Sequence, residues 1–109
     1  MKRLFVVALA APLLMGLNPA QAADAAKAKE LATKNACMGC HAVDRKVVGP
    51  AYKDVAAKYK GTEAAKLAAS IKAGGSGKWG AIPMPPQAAL SEADAKTLAE
   101  WILAGAADK

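Results

Sequence analysis

The stretch Cys37-Met38-Gly39-Cys40-His41 decides the fold of this chain. Its Cys-x-x-Cys-His spacing is the attachment signature of a c-type haem. Two thiols at this spacing can add to the vinyl groups of one haem as thioethers, and the histidine that follows is placed to give the iron an axial nitrogen. The chain has two cysteines and one histidine, and all three are in this motif. We therefore predict one covalently attached haem c, held by Cys37 and Cys40, with His41 as an iron ligand.

The first 22 residues have the layout of a secretory signal peptide. Met1-Lys2-Arg3 is basic, Leu4 to Leu14 is apolar, and Ala20-Gln21-Ala22 is an A-x-A cleavage site. An N-terminal membrane anchor is the alternative, but the apolar run is shorter than the ~20 residues that span a bilayer. We predict that residues 1–22 are removed by cleavage before Ala23. The mature chain is then periplasmic and has no membrane segment.

Length and charge limit the number of domains and the class of partner that this protein can have. Cleavage leaves 87 of the 109 residues, residues 23–109, which predicts a single small domain. A chain this short buries little surface by itself, so we expect the haem to supply much of the apolar core. Loss of Lys2 and Arg3 reduces the 15 basic residues to 13, against 9 acidic ones, for a net charge of +4. The basic residues are spread along the chain, whereas a nucleic-acid-binding protein would cluster them.

Apolar residues recur at helical spacing in four segments, and no segment alternates as a strand does. The first helix is predicted from an N-cap at Asp24 to about residue 35, with both cysteines on its final turn. The second is predicted over residues 52–60, and the third from Thr62-Glu63 to Gly74-Gly75. Ser91 is predicted to cap the fourth, assisted by Asp94. The pattern indicates an all-α fold of about four helices.

The segment from Gly74 to Leu90 is long for a connection in a small domain, and such loops are usually functional or disordered. It contains Ile82-Pro83-Met84-Pro85-Pro86, in which three prolines restrict the backbone. A thioether sulfur can occupy the second axial site of a haem iron and raises its reduction potential. Met38 lies between the two cysteines and cannot reach the opposite side of the haem. Met84 is therefore the candidate second ligand, and the alternative is a buried methionine that fills a gap in the core.

Four strings of residues together resemble the small bacterial class I cytochromes c of the cytochrome c-551 type. They are Cys37–His41, Val48-Gly49-Pro50-Ala51-Tyr52, Trp79-Gly80 and Ile82-Pro83-Met84-Pro85-Pro86. The resemblance covers residues 24–106. It implies a monomeric all-α domain wrapped around one haem, with His/Met axial ligation.

The resemblance also implies roles for two further residues. The carbonyl of Pro50 is expected to accept the second ring N–H of His41, a contact that orients a metal ligand. Trp79 is expected to donate a hydrogen bond to a haem propionate, although by its type alone it is equally suited to be a core aromatic. Among the departures from relatives, Ser70 stands where some have Arg or His near the propionates, Ala32 where an aromatic often packs against the last helix, and Gln87 where some have Asn near the methionine sulfur.

The expected coordination indicates a function. An iron with both axial sites filled by protein can change charge but has no open position for oxygen, peroxide or a substrate. We therefore predict an electron-transfer protein and not an enzyme: a carrier that docks briefly with redox partners. The resemblance makes a nitrite reductase, a terminal oxidase and a cytochrome c peroxidase all compatible as partners. Two other classes are weighed: a thiol–disulfide oxidoreductase, whose Cys-x-x-Cys accompanies a βαβ unit, and a haem sensor or peroxidase-like enzyme with an open iron.

Overall fold

The computed structural model describes residues 19–107, with side chains from residue 24 onward. The predicted basic and apolar parts of the signal peptide lie outside the described residues. The described chain forms four α-helices and a short 3₁₀ helix. In order, they are α1 (Pro19–Lys34), the 3₁₀ helix (Cys37–Gly39), α2 (Tyr52–Lys58), α3 (Ala64–Ala73) and α4 (Glu92–Leu103). Residues 19–107 contain two isolated β-bridges and no strand, which confirms the predicted all-α fold.

The first helix begins earlier than predicted. Asp24 lies inside α1, so its prediction as an N-cap is wrong for the full-length chain. The reason is local: the fixed φ of Pro19 suits the first position of a helix, and the Ala-Gln-Ala-Ala that follows contains strong helix formers. Among the described helices, none is long and apolar enough to cross a bilayer.

The prediction that the two cysteines share the last turn of α1 is wrong: Cys37 begins the separate 3₁₀ helix, and Cys40 directly follows its end. Ala36 adopts a left-handed conformation, with φ 58° and ψ 24°, which ends the helical path between Lys34 and Cys37. The N–H of His41 then donates to the carbonyl of Cys37 at 2.9 Å. The attachment motif is thus a turn of its own, and its direction is set by one left-handed residue.

The last three helices follow the predicted pattern. α2 ends at Lys58, slightly earlier than expected, and α3 ends where Gly74 leaves the helical conformation. The hydroxyl oxygen of Ser91 accepts a hydrogen bond from the N–H of Asp94 at 3.1 Å. This bond confirms the predicted cap of α4 and satisfies one of the free N–H groups at the helix start.

α4 lies at the centre of the core and contacts α1, α2 and α3. Its buried residues recur three and four positions apart, as the sequence predicted. The residues that pack around it are small on α1 and larger on the other helices. The core contains Ala28 and Ala32 from α1, Tyr52 and Val55 from α2, Leu67, Ala68 and Ile71 from α3, and Ala95, Leu98, Ala99, Trp101 and Ile102 from α4.

Candidate functional site

The ring of His41 is oriented by a backbone carbonyl. Its Nδ1 lies 2.8 Å from the carbonyl oxygen of Pro50. A carbonyl can only accept, so in this hydrogen bond Nδ1 carries the proton and Nε2 keeps a free lone pair. Hydrogen bonds of this kind hold metal-binding histidines in one tautomer and one orientation. Nε2 is therefore the atom that His41 offers as a ligand.

The loop from His41 to Pro50 packs tightly against that ring. The N–H groups of Val48 and Gly49 both donate to the carbonyl of Cys40, at 3.1 and 2.7 Å. A β-carbon at Gly49 would lie 2.6 Å from Cε1 of His41, closer than real β-carbons approach. The imidazole thus occupies the space that a side chain at position 49 would need, which explains the glycine in the Val-Gly-Pro string.

An aromatic stack connects His41 to the core. The ring of Tyr52 lies parallel to that of His41, with centroids 5.0 Å apart, and meets Trp101 edge-on at 5.6 Å. The indole N–H of Trp101 donates to the carbonyl of Ala107 at 3.0 Å. The stack therefore fixes the candidate ligand relative to both α2 and α4.

The hydroxyl of Tyr52 also faces the attachment motif. Burial, followed by the nearby charge of Cys37, raises the pKa of Tyr52 well above its usual range. Burial likewise raises the pKa of the Cys37 thiol, while its hydrogen bond with Tyr52 acts in the opposite direction. Both pKa shifts favour the neutral forms of Tyr52 and of the free Cys37 thiol.

The two methionines of the described chain lie in different surroundings. Met84 is half-buried and packs against the core, whereas Met38 is 42% exposed. The backbone of Met84 is paired with that of Gly75 just beyond α3, through hydrogen bonds of 2.8 and 3.1 Å. The candidate sulfur ligand thus belongs to a segment that is attached to a helix of the core.

Trp79 lies outside the core that the described polypeptide forms. Its side chain is 36% exposed, and its ring lies 6.4 Å from that of Tyr59. The ammonium group of Lys58 lies 4.5 Å from the centre of the Trp79 ring and 3.4 Å from the carbonyl oxygen of Lys78. The contact between Lys58 and Trp79 was not predicted from the sequence. The one hint in the sequence is that a lysine precedes Tyr59.

Two of the positions that depart from relatives, Ser70 and Gln87, are engaged locally. The hydroxyl of Ser70 donates to the carbonyl of Lys66 at 3.3 Å, inside α3. The side-chain amide of Gln87 donates to the carbonyl of Pro85 at 3.2 Å. In this structure the Gln87 amide therefore donates to the neighbouring backbone.

The residues present suit a large apolar ring with iron at its centre. Thiols at positions 37 and 40 and a free Nε2 on His41 would supply the donor set of a haem c. Large apolar side chains are exposed in the described chain only in two segments, around the cysteines and before Met84. They are Met38, Val47, Val48, Trp79 and Ile82. Both segments therefore leave apolar side chains available to contact a bound ring.

A family model described as cytochrome c matches residues 25–106. The chain belongs to the cytochrome c family. It is 53% identical to cytochrome c-552 of Nitrosomonas europaea over 105 residues, which cover 94% of this chain and 97% of that protein. It is 60% identical to cytochrome c-551 of Azotobacter vinelandii, over 69% of this chain and 93% of that one. The crystal structure of wild-type Nitrosomonas europaea cytochrome c552 matches with a TM-score of 0.67 and 58% identity, covering 71% of this chain and 98% of its own.

These relatives confirm the resemblance to small bacterial class I cytochromes c of the c-551 type. As a cytochrome c of this type, the chain carries one covalently attached haem c. It is an electron-transfer protein and not an enzyme. The thiol–disulfide oxidoreductase and the haem enzyme with an open iron are therefore both set aside.

Proposed function

We propose that this cytochrome c is a periplasmic one-electron carrier, with haem thioethers at Cys37 and Cys40 and axial ligands at His41 and Met84. One observation carries the proposal: the hydrogen bond from Nδ1 of His41 to Pro50, which leaves Nε2 as the free nitrogen. A histidine committed in this way is suited to permanent ligation. The bond fixes the ring in one orientation and directs Nε2 away from Pro50.

The bound haem supplies a reversible one-electron change at its iron. The chain's own residues would keep that centre closed: His41 and Met84 would both bind the iron and leave no position for water or small ligands. Trp79 is proposed to donate its indole N–H to a propionate, with Lys58 resting against the same ring. A rigid ligand set favours electron transfer, since little has to move when the charge changes.

The proposed location follows from residues 1–22 as a cleaved signal peptide. Cleavage before Ala23 would remove the first residues of α1 and leave Asp24 near the new start of the helix, where a carboxylate is favourable. Mass spectrometry of the exported protein tests the cleavage site, and size-exclusion chromatography tests the proposed monomer. Deletion of the gene, followed by assays of nitrite reductase, terminal oxidase and peroxidase pathways, tests the proposed partners.

The ligand assignment is tested by two methionine variants. Met84→Ala should abolish the weak far-red iron–sulfur band of the ferric protein, lower the reduction potential and admit exogenous ligands, because it removes the thioether. Met38→Ala is the matched control and should keep the band. Loss of the band in the Met38 variant, with retention in the Met84 variant, would show that the assignment is wrong.

A further inference from the structure

The end of α3 is tied to the Met84 segment by three backbone hydrogen bonds. Gly75 and Met84 donate to each other's carbonyls, at 3.1 and 2.8 Å. Beyond the prolines, the N–H of Gln87 donates to the carbonyl of Lys72 at 2.9 Å. The three bonds bracket Met84 on both sides along the chain, so its backbone is held relative to α3.

The proline string leaves few ways to make such an attachment. Pro83, Pro85 and Pro86 have no N–H, so Met84 is the single backbone donor among residues 83–86. That donor is used at Gly75. α3 is itself anchored, because Leu67, Ala68 and Ile71 are buried in the core. The Met84 backbone is thereby attached to the end of a rigid helix by its own N–H and by the bond that its carbonyl accepts from Gly75.

Gly74 makes this attachment sterically possible. Its backbone has φ 65° and ψ −165°, a region that is essentially restricted to glycine. A β-carbon there would lie 2.8 Å from the carbonyl carbon of Pro85 and 2.8 Å from the nitrogen of Pro86, and it would collide with the carbonyl oxygen of Met84. These are backbone atoms, and they cannot rotate away as the end of a flexible side chain can.

We infer that Gly74 is a positioning residue for the sixth ligand. Because it has no side chain, the backbone of residues 84–86 lies directly on the end of α3, and this contact sets how closely the Met84 sulfur approaches the iron. The inference rests on the proposed ligation by Met84. It adds that the strength of the iron–sulfur bond is controlled from the end of α3.

The test is Gly74→Ala in the ferric holoprotein, with two control variants. Gly75 is the next residue, does not have a positive φ, and an added β-carbon there would lie in open space, so Gly75→Ala is the first control. Gly61 has φ 85°, but an added β-carbon would meet nothing within 4 Å, so Gly61→Ala is the second. In Gly74→Ala we expect the iron–sulfur band to disappear at a temperature well below the loss of helical circular dichroism. We also expect imidazole to bind about tenfold more tightly or better, equivalent to about 1.4 kcal/mol. Both controls should retain the parent's band and imidazole affinity.

An unchanged band and imidazole affinity in Gly74→Ala would overturn the inference, as would equal losses in either control. Absence of the band from the parent protein would instead refute Met84 ligation itself. Where Gly74→Ala does not yield folded holoprotein, hydrogen exchange on the parent decides. If the amide hydrogens of Gly75 and Met84 are protected from exchange and become exposed in the same opening event, the attachment is supported. If these amides exchange freely, the attachment is overturned.

Discussion

The backbone of Gly49 lies against the imidazole ring of His41, where a β-carbon would come within 2.6 Å of Cε1 and 2.9 Å of Nδ1. The same ring stacks on Tyr52 and donates to the carbonyl of Pro50. Three neighbours from one stretch of 12 residues, 41–52, therefore confine the proposed ligand. Little room remains for the ring to turn or to move away.

Gly49→Ala should displace the ring and weaken the hydrogen bond to Pro50. We expect a loss of about 1–3 kcal/mol in the free energy of unfolding, as for other overpacked sites. Denaturant unfolding of the holoprotein measures it, and the NMR signal of the Nδ1 proton reports on the bond. Gly39→Ala is the control, since a β-carbon at Gly39 would meet nothing within 4 Å. Equal losses in the two variants would contradict the close contact.

Removal of both thioether positions should prevent folding. The polypeptide core is rich in alanine, and Leu98 is its only large side chain that is completely buried among the described residues. A core of this size rarely supplies more than about 3–5 kcal/mol, and an absent haem would leave a cavity that removes much of that stability. Cys37→Ala/Cys40→Ala should therefore be largely unfolded by circular dichroism. A native-like helical spectrum with a sharp thermal transition would show that the chain folds without haem.

Ala36→Gly should stabilise the holoprotein. Ala36 is in the left-handed conformation, which costs a residue with a β-carbon about 1–2 kcal/mol. Glycine removes most of that cost. Part of the gain is lost because glycine also raises the conformational entropy of the unfolded chain. Ala69→Gly, at an exposed position inside α3, should have the opposite sign and destabilise by about 1 kcal/mol. Thermal unfolding of both variants measures the difference, and a loss of stability in Ala36→Gly would be the contrary result.

Lys58→Ala should loosen Trp79. The cation–π contact at an exposed site is worth about 0.5–1 kcal/mol, so the loss of stability should be small. The more specific sign is a shift and broadening of the indole N–H signal of Trp79 in the NMR spectrum. Lys60→Ala, an exposed lysine two residues further on, should leave that signal in place. An unaltered indole signal in Lys58→Ala would mean that Lys58 does not hold the ring.

Charge reversal near the attachment motif should slow electron transfer to an acidic partner. Lys46 is exposed in the loop between His41 and Pro50, close in sequence to the exposed Met38 and Val48. Lys46→Glu should lower the rate of electron transfer at low salt. The difference from the parent should shrink as salt is added, because the screening length falls to about 8–10 Å at physiological ionic strength. Lys96→Glu, in the groove between α3 and α4, should do little. Stopped-flow oxidation at several salt concentrations measures both, and equal slowing would argue against a localised docking face.

The sequence by itself determined the features that depend on neighbours along the chain. The Cys-x-x-Cys-His string indicates its chemistry because two thioethers and one ligand need that covalent spacing. Helical periodicity predicted the buried faces of α3 and α4, since residues three and four apart share one side of a helix. The Ser91 cap was equally local, because the hydroxyl reaches an N–H three residues away.

Only the tertiary structure decided the contacts between segments that are distant in the sequence. Nothing local to Gly74 indicates that residues 84–86 lie against it, and nothing local to Lys58 indicates Trp79. The left-handed Ala36 was also missed, since alanine has no intrinsic preference for that conformation and the surrounding packing imposes it. Periodicity reports which side of a helix is buried, but a close approach of two backbones depends on where the whole chain places them.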